Sequence, residues 1–63
     1  MNVDIYYQFV LFDISKMANV DIETARKMAE SVKFKDMIID YPKTTKSEPT
    51  RCWAREIIEL CGS

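Results

Sequence analysis

A chain of 63 residues has room for one hydrophobic core and no second domain, and a core that small leaves little margin of stability. Its 48% hydrophobic content is more than a single small core absorbs, so part of the apolar surface is expected to be buried between subunits. A formal net charge of −1 and a pI near 5.2 give no overall field to draw the chain onto nucleic acid. The absence of histidine removes the commonest general base and the commonest metal ligand.

Residues 3–18 read as the first helix. Val3, Tyr7, Val10, Ile14 and Met17 step by alternating fours and threes into one apolar seam, with Leu11 and Ala18 beside it. Asp4, Gln8, Ser15 and Asn19 gather on a polar strip. The β-branched and aromatic content would also suit a strand, but both parities carry apolar residues, so strict alternation fails. Ile5, Phe9 and Phe12 form a second stripe away from the seam. A helix with two apolar faces needs two partners, its own core and a neighbouring chain. The expected dimer interface is therefore Ile5, Phe9 and Phe12 together with Tyr6. The same run is too short for a membrane span, is interrupted by Asp4 and Asp13, and has no basic flank before it, so neither a targeting signal nor membrane insertion is expected.

A second helix follows Asp21, a suitable N-cap, with Val20 placed to pack on Ala25 as a hydrophobic staple. Ile22, Ala25, Met28, Ala29 and Val32 make its apolar face, and the spacing predicts supporting pairs Glu23–Lys27 and Arg26–Glu30. The pattern slips through Phe34, Met37, Ile38, Ile39 and Tyr41, as a bent continuation or as a separate short helix. Tyr41, preceding Pro42, should leave helical geometry. Pro42 to Pro49 reads as a loop. The last helix is expected to begin near Ser47, with Pro49 in its first turn, to bury Trp53, Ala54, Ile57, Ile58, Leu60 and Cys61, and to stop at Gly62. No other glycine occurs, which weighs against tight hairpins and a β-meander. Cys52 and Cys61 on one helix would be roughly 13 Å apart along its axis, too far for a disulfide with each other. They are expected to be buried free thiols, with a bridge between subunits as the lesser alternative.

Charge is uneven, with a mildly acidic front (Asp4, Asp13, Asp21 and Glu23 against Lys16) and a mildly basic back that includes Lys43, Lys46, Arg51 and Arg55. Solvated helix faces account for this better than an anion site does. Asp36 and Asp40 could share a face, but two carboxylates without a third ligand are ordinarily solvated. No glycine-rich phosphate loop and no activated nucleophile can be drawn. The reading is a non-enzyme with no catalytic residue, no cofactor and no metal.

The segment from Asp13 to Met28 resembles a helix-turn-helix. Ile14, Ala18, Val20, Ala25 and Met28 fall near its buried positions, and Asn19 stands where the turn glycine would be. Thr24, Arg26, Lys27 and Ser31 would then face DNA. Ser15 occupies the place where that motif favours alanine, and Asp21, Glu23 and Glu30 would face phosphates. DNA binding is thus the secondary reading.

The opening Met-Asn-Val-Asp-Ile-Tyr-Tyr-Gln-Phe-Val-Leu-Phe-Asp-Ile-Ser-Lys, the total length and the Cys-Gly-Ser ending resemble the small early proteins of lambda-like phages encoded between the exonuclease and excisionase genes. The likeness covers the whole chain and contains no motif that would carry a site residue across. It implies action in the cytoplasm of an infected bacterium, on host physiology or on the choice between lysis and lysogeny. The combined expectation is a single all-α domain over residues 1–63. Three or four short helices would pair as a homodimeric bundle and act by binding a host or phage protein.

Overall fold

The computed structural model describes residues 3–62, all of whose regular structure is helical: α1 (Val3–Ala18), α2 (Ile22–Ser31), α3 (Phe34–Asp40), α4 (Pro42–Lys46) and α5 (Thr50–Gly62). The all-α class is as the sequence suggests. Of the two alternatives for residues 34–41 the separate short helix is the one found, and the described residues hold five helices rather than three or four because the expected loop at Pro42 contains another.

At about 1.5 Å per residue α1 is about 24 Å long and spans most of the molecule's 28 Å axis. Asp4 in its first turn and Lys16 in its last complement the helix dipole. It supplies Tyr6, Tyr7, Val10, Leu11 and Ile14 to the core, and α5 packs along it more extensively than any other element. Met17, expected to continue the seam, is instead half-exposed near the end of the helix.

The turn between α1 and α2 is built without glycine. Asn19 adopts a left-handed backbone (φ 55°), and the Val20 amide donates to the Ser15 carbonyl at 3.1 Å, the six-to-one bond that closes a helix C-terminus. The Ser15 hydroxyl donates to the Val20 carbonyl at 2.6 Å, which gives this serine a structural task in the turn. Asp21 caps α2 as expected, its carboxylate accepting the Thr24 amide at 2.8 Å. Hydrogen bonds from Thr24 hold the Asp21 carboxyl below its ordinary value, so this cap favours folding above the usual aspartate range and loses effect as pH falls. The expected (i, i+4) pairs on α2 are replaced by one (i, i+3) pair, Arg26 with Glu23.

Ala25 and Ala29 are fully buried, and these small side chains bring α2 close to its neighbours. Lys33 then takes a second left-handed conformation (φ 57°) and separates α2 from α3. Phe34 and Ile38 turn inward from α3. Phe34 stacks on Tyr7 at 6.1 Å between centroids and meets Trp53 at 5.6 Å, joining α1, α3 and α5 in one aromatic group.

Tyr41 leaves helical geometry before Pro42, as its position demands. Pro42 then serves as the first residue of α4, where its fixed φ suits a helix start and its missing N–H costs nothing. Five residues form no stable helix alone, so α4 depends on tertiary contacts at Thr45, which is 1% exposed. The Thr45 carbonyl accepts the Tyr6 hydroxyl from α1 at 3.0 Å and the Trp53 indole N–H from α5 at 2.8 Å. Tyr6 also reaches the Glu48 carbonyl at 2.5 Å.

The last helix starts at Thr50, three residues later than expected, with the Thr50 hydroxyl donating to Asp13 on α1 at 2.5 Å. Ala54 and Ile57 are buried and Trp53 and Ile58 half-buried. Leu60 and Cys61, expected inside, are exposed: Cys61 keeps weak contacts with Ser31 and Met28 at the edge of α2, and Leu60 rims an open hollow beside Val32 and Met37. Gly62 stays within the helix without a positive φ, so it is not a left-handed cap. No helix among the described residues is long and apolar enough to cross a membrane.

Candidate functional site

A helix advances about 100° per residue, which places Ile5, Phe9 and Phe12 within some 60° of arc. Tyr7, Val10 and Ile14 centre about half a turn away, on the core side. The structure keeps these two faces apart: Val10 and Ile14 are completely buried, while Ile5, Phe9 and Phe12 remain 47%, 45% and 48% exposed. Lys16 and Gln8 flank the stripe on the same outward side. Aromatic and branched side chains so exposed in a row cost solvation, and a contiguous apolar patch on a small domain is a recurrent mark of an interface.

Tyr6 does not belong to this stripe. It is only 4% exposed and lies about 100° around α1 from Ile5, facing the α4–α5 connection. Its hydroxyl is spent on two backbone carbonyls there. The alternation of fours and threes along α1 left Tyr6 between the two faces, and its hydrogen-bonding partners are some forty residues away in sequence, beyond the reach of local pattern.

The four residues expected to face DNA divide as well. Thr24, Lys27 and Ser31 share one exposed face of α2, with Glu23 and Glu30 also on its wet side. Arg26 lies at the edge of the packed face and pairs with Glu23. The Ser31 hydroxyl donates back to the Met28 carbonyl at 2.7 Å. This leaves Lys27 as the cation of a surface on which carboxylates are at least as numerous, a poor match for a phosphate backbone. The turn geometry that suggested the motif is present, with Asn19 left-handed and Asp21 capping, but such a turn joins helices in many settings.

The cysteines, expected to be buried free thiols, are less covered than that. Cys52 is half-buried and Cys61 exposed, both as free thiols. Cys61 lies 3.5 Å from the Ser31 hydroxyl and 3.5 Å from the Met28 carbonyl, weak contacts at the α2–α5 edge. Among the described residues no three His, Cys, Asp or Glu side chains converge in a way that would hold a metal ion.

Beyond the stripe, a cavity of roughly 340 Å³ opens where α4 meets α5, lined by Thr44, Ser47, Glu48, Cys52, Trp53 and Glu56. A second, more apolar hollow between α3 and α5 shares Trp53 and Glu56 with it and includes Met37 and Leu60. Neither was legible in the sequence: the first needs α4, which was not expected to be ordered, and the second joins residues of α3 and α5 that lie far apart along the chain. Compared with protein-family models, with curated proteins and with solved structures, the chain matches none.

Proposed function

We propose that this protein is a non-catalytic regulatory module that pairs with a second copy through Ile5, Phe9 and Phe12 and, in that form, engages a host or phage protein. The observation that carries the proposal is the two-sided first helix, whose inner face is sealed while three large apolar side chains stay nearly half exposed on the opposite face. Pairing two such stripes would remove them from water without disturbing the core, which the hydrophobic effect favours. The resemblance to small early phage proteins supports the setting: the cytoplasm of an infected bacterium, and an effect on host physiology or on the lysis–lysogeny choice.

Sedimentation equilibrium tests the pairing. The wild-type chain is expected at twice its 7.4 kDa mass, and Phe9→Asp at the single-chain mass with its helical circular dichroism retained, since Phe9 lies outside the core. A folded wild-type monomer, or a Phe9→Asp dimer, would remove the stripe from the mechanism.

The α1–turn–α2 arrangement, with Asn19 in the left-handed turn, supports DNA binding as the second reading. Phosphate contacts from Lys27 and Arg26 would make affinity fall steeply with salt, whereas an apolar interface responds little. An electrophoretic titration against random duplex at two salt concentrations separates the readings, and no shift at low salt eliminates the DNA one.

A further inference from the structure

We infer that the cavity at the α4–α5 junction is a recognition pocket for an arginine side chain presented on a basic, partly apolar peptide. This inference is independent of the α1 stripe. Three features of the pocket point to a flat cation. First, Glu48 and Glu56 line its walls, and among the described residues neither carboxylate has a cation within ion-pair distance. Second, Trp53 forms a wall of fixed orientation: its indole N–H is committed to the Thr45 carbonyl at 2.8 Å and its ring rests on Phe34. A half-buried indole face beside two carboxylates suits a guanidinium, which stacks on the ring while its edge donates to carboxylate oxygens. Third, the adjoining hollow, with Val32, Met37 and Leu60 around the same tryptophan, offers apolar surface for a neighbouring aliphatic side chain. The chain's own Arg51 and Arg55 line a different cavity, with Met17 and Cys52, and do not line this one.

The charge selects against phosphate and nucleic acid as occupants. A lysine ammonium would gain the charge attraction but little of the planar stacking. The ligand class is therefore an arginine flanked by leucine-like residues, in an extended or helical segment of a partner.

Trp53 is the only tryptophan and reports on its own pocket. The probe is the blocked tetrapeptide acetyl-Leu-Arg-Arg-Leu-amide, titrated into the full chain and followed by tryptophan fluorescence, beside the same peptide with both arginines replaced by neutral citrulline. A saturable change with the arginine peptide is expected, at least about tenfold weaker with citrulline and weaker as salt rises. Glu56→Gln and Glu48→Gln should each weaken binding about fivefold. Both glutamate side chains are exposed and the replacements nearly isosteric, and far-ultraviolet circular dichroism verifies the fold. Phe9→Asp should bind the arginine peptide like wild type. The pocket assignment is overturned by the absence of a saturable response up to about 1 mM peptide. Equal affinity for the citrulline peptide, or unchanged affinity in the Glu48→Gln/Glu56→Gln double variant, would also overturn it. Loss of binding in folded Phe9→Asp would move the peptide to α1 and overturn it too.

Discussion

Tyr6 shows how one hydroxyl organises a chain of this size. Burial above all, with Glu48 and Cys52 adding and the Trp53 indole opposing, pushes its phenol above the ordinary value of 10.0. Tyr7 is raised too, chiefly by burial and then by Glu30, against Arg26. At a pH between the unfolded and folded values, the unfolded chain has given up protons that the folded chain keeps, so rising pH favours unfolding. Stability is therefore expected to be full below about pH 10 and to decline above it, as read by urea denaturation near pH 7 and near pH 10.5. Tyr6→Phe should cost about 1 kcal/mol at neutral pH, the net worth of one buried hydrogen bond, and should flatten the alkaline decline. Lys33 presents the opposite case, a side chain where its absence would help. With φ at 57° its Cβ is strained, and Lys33→Gly should raise stability by up to about 1 kcal/mol, measured as a higher urea midpoint.

The helices differ in how far their own residues specify them. The outlines of α1 and α2 could be read directly, because their apolar residues recur at helical spacing and Asp21 marks a start that the fold uses. The two faces of α1 were legible for the same reason, and with them the candidate stripe. What could not be read was whatever depends on residues distant in sequence. Residues 42–46 carry lysines, threonines and a proline, a composition that says loop, and become helical around a carbonyl held by Tyr6 and Trp53. The pocket they create with α5 was hidden with them. The inward assignment of Leu60 and Cys61 failed because periodicity shows which residues share a face but not how completely neighbouring elements cover it. Helix α3 is likewise borrowed structure: seven residues, with Lys33 offering no side-chain cap, anchored by Phe34 and Ile38. Phe34→Ala should cost about 3–5 kcal/mol, a large share of what a domain this small possesses. Thermal melts followed by circular dichroism should show a chain largely unfolded near room temperature, and a cooperative wild-type-like melt would refute the anchoring role.

Across the whole molecule, the helices earliest and latest in the described chain form the principal packing interface, reinforced by the Thr50–Asp13 hydrogen bond. The core is therefore closed by α5, the latest of the described helices. A chain ending at Pro49 lacks Trp53, Ala54 and Ile57, and with them one wall of the core. It is expected to show little helical signal, whereas an independently stable α1–α4 unit would retain most of it. The same order governs how the protein comes into being. At roughly 5–20 residues per second, roughly 2–9 s separate synthesis of Ala18 from synthesis of Gly62. Until α5 is available to pack, the inner face of α1 lacks its principal cover, besides the outer stripe that stays exposed in the finished fold. Docking of α5 is thus the step that converts a sticky, half-covered helix into a sealed core.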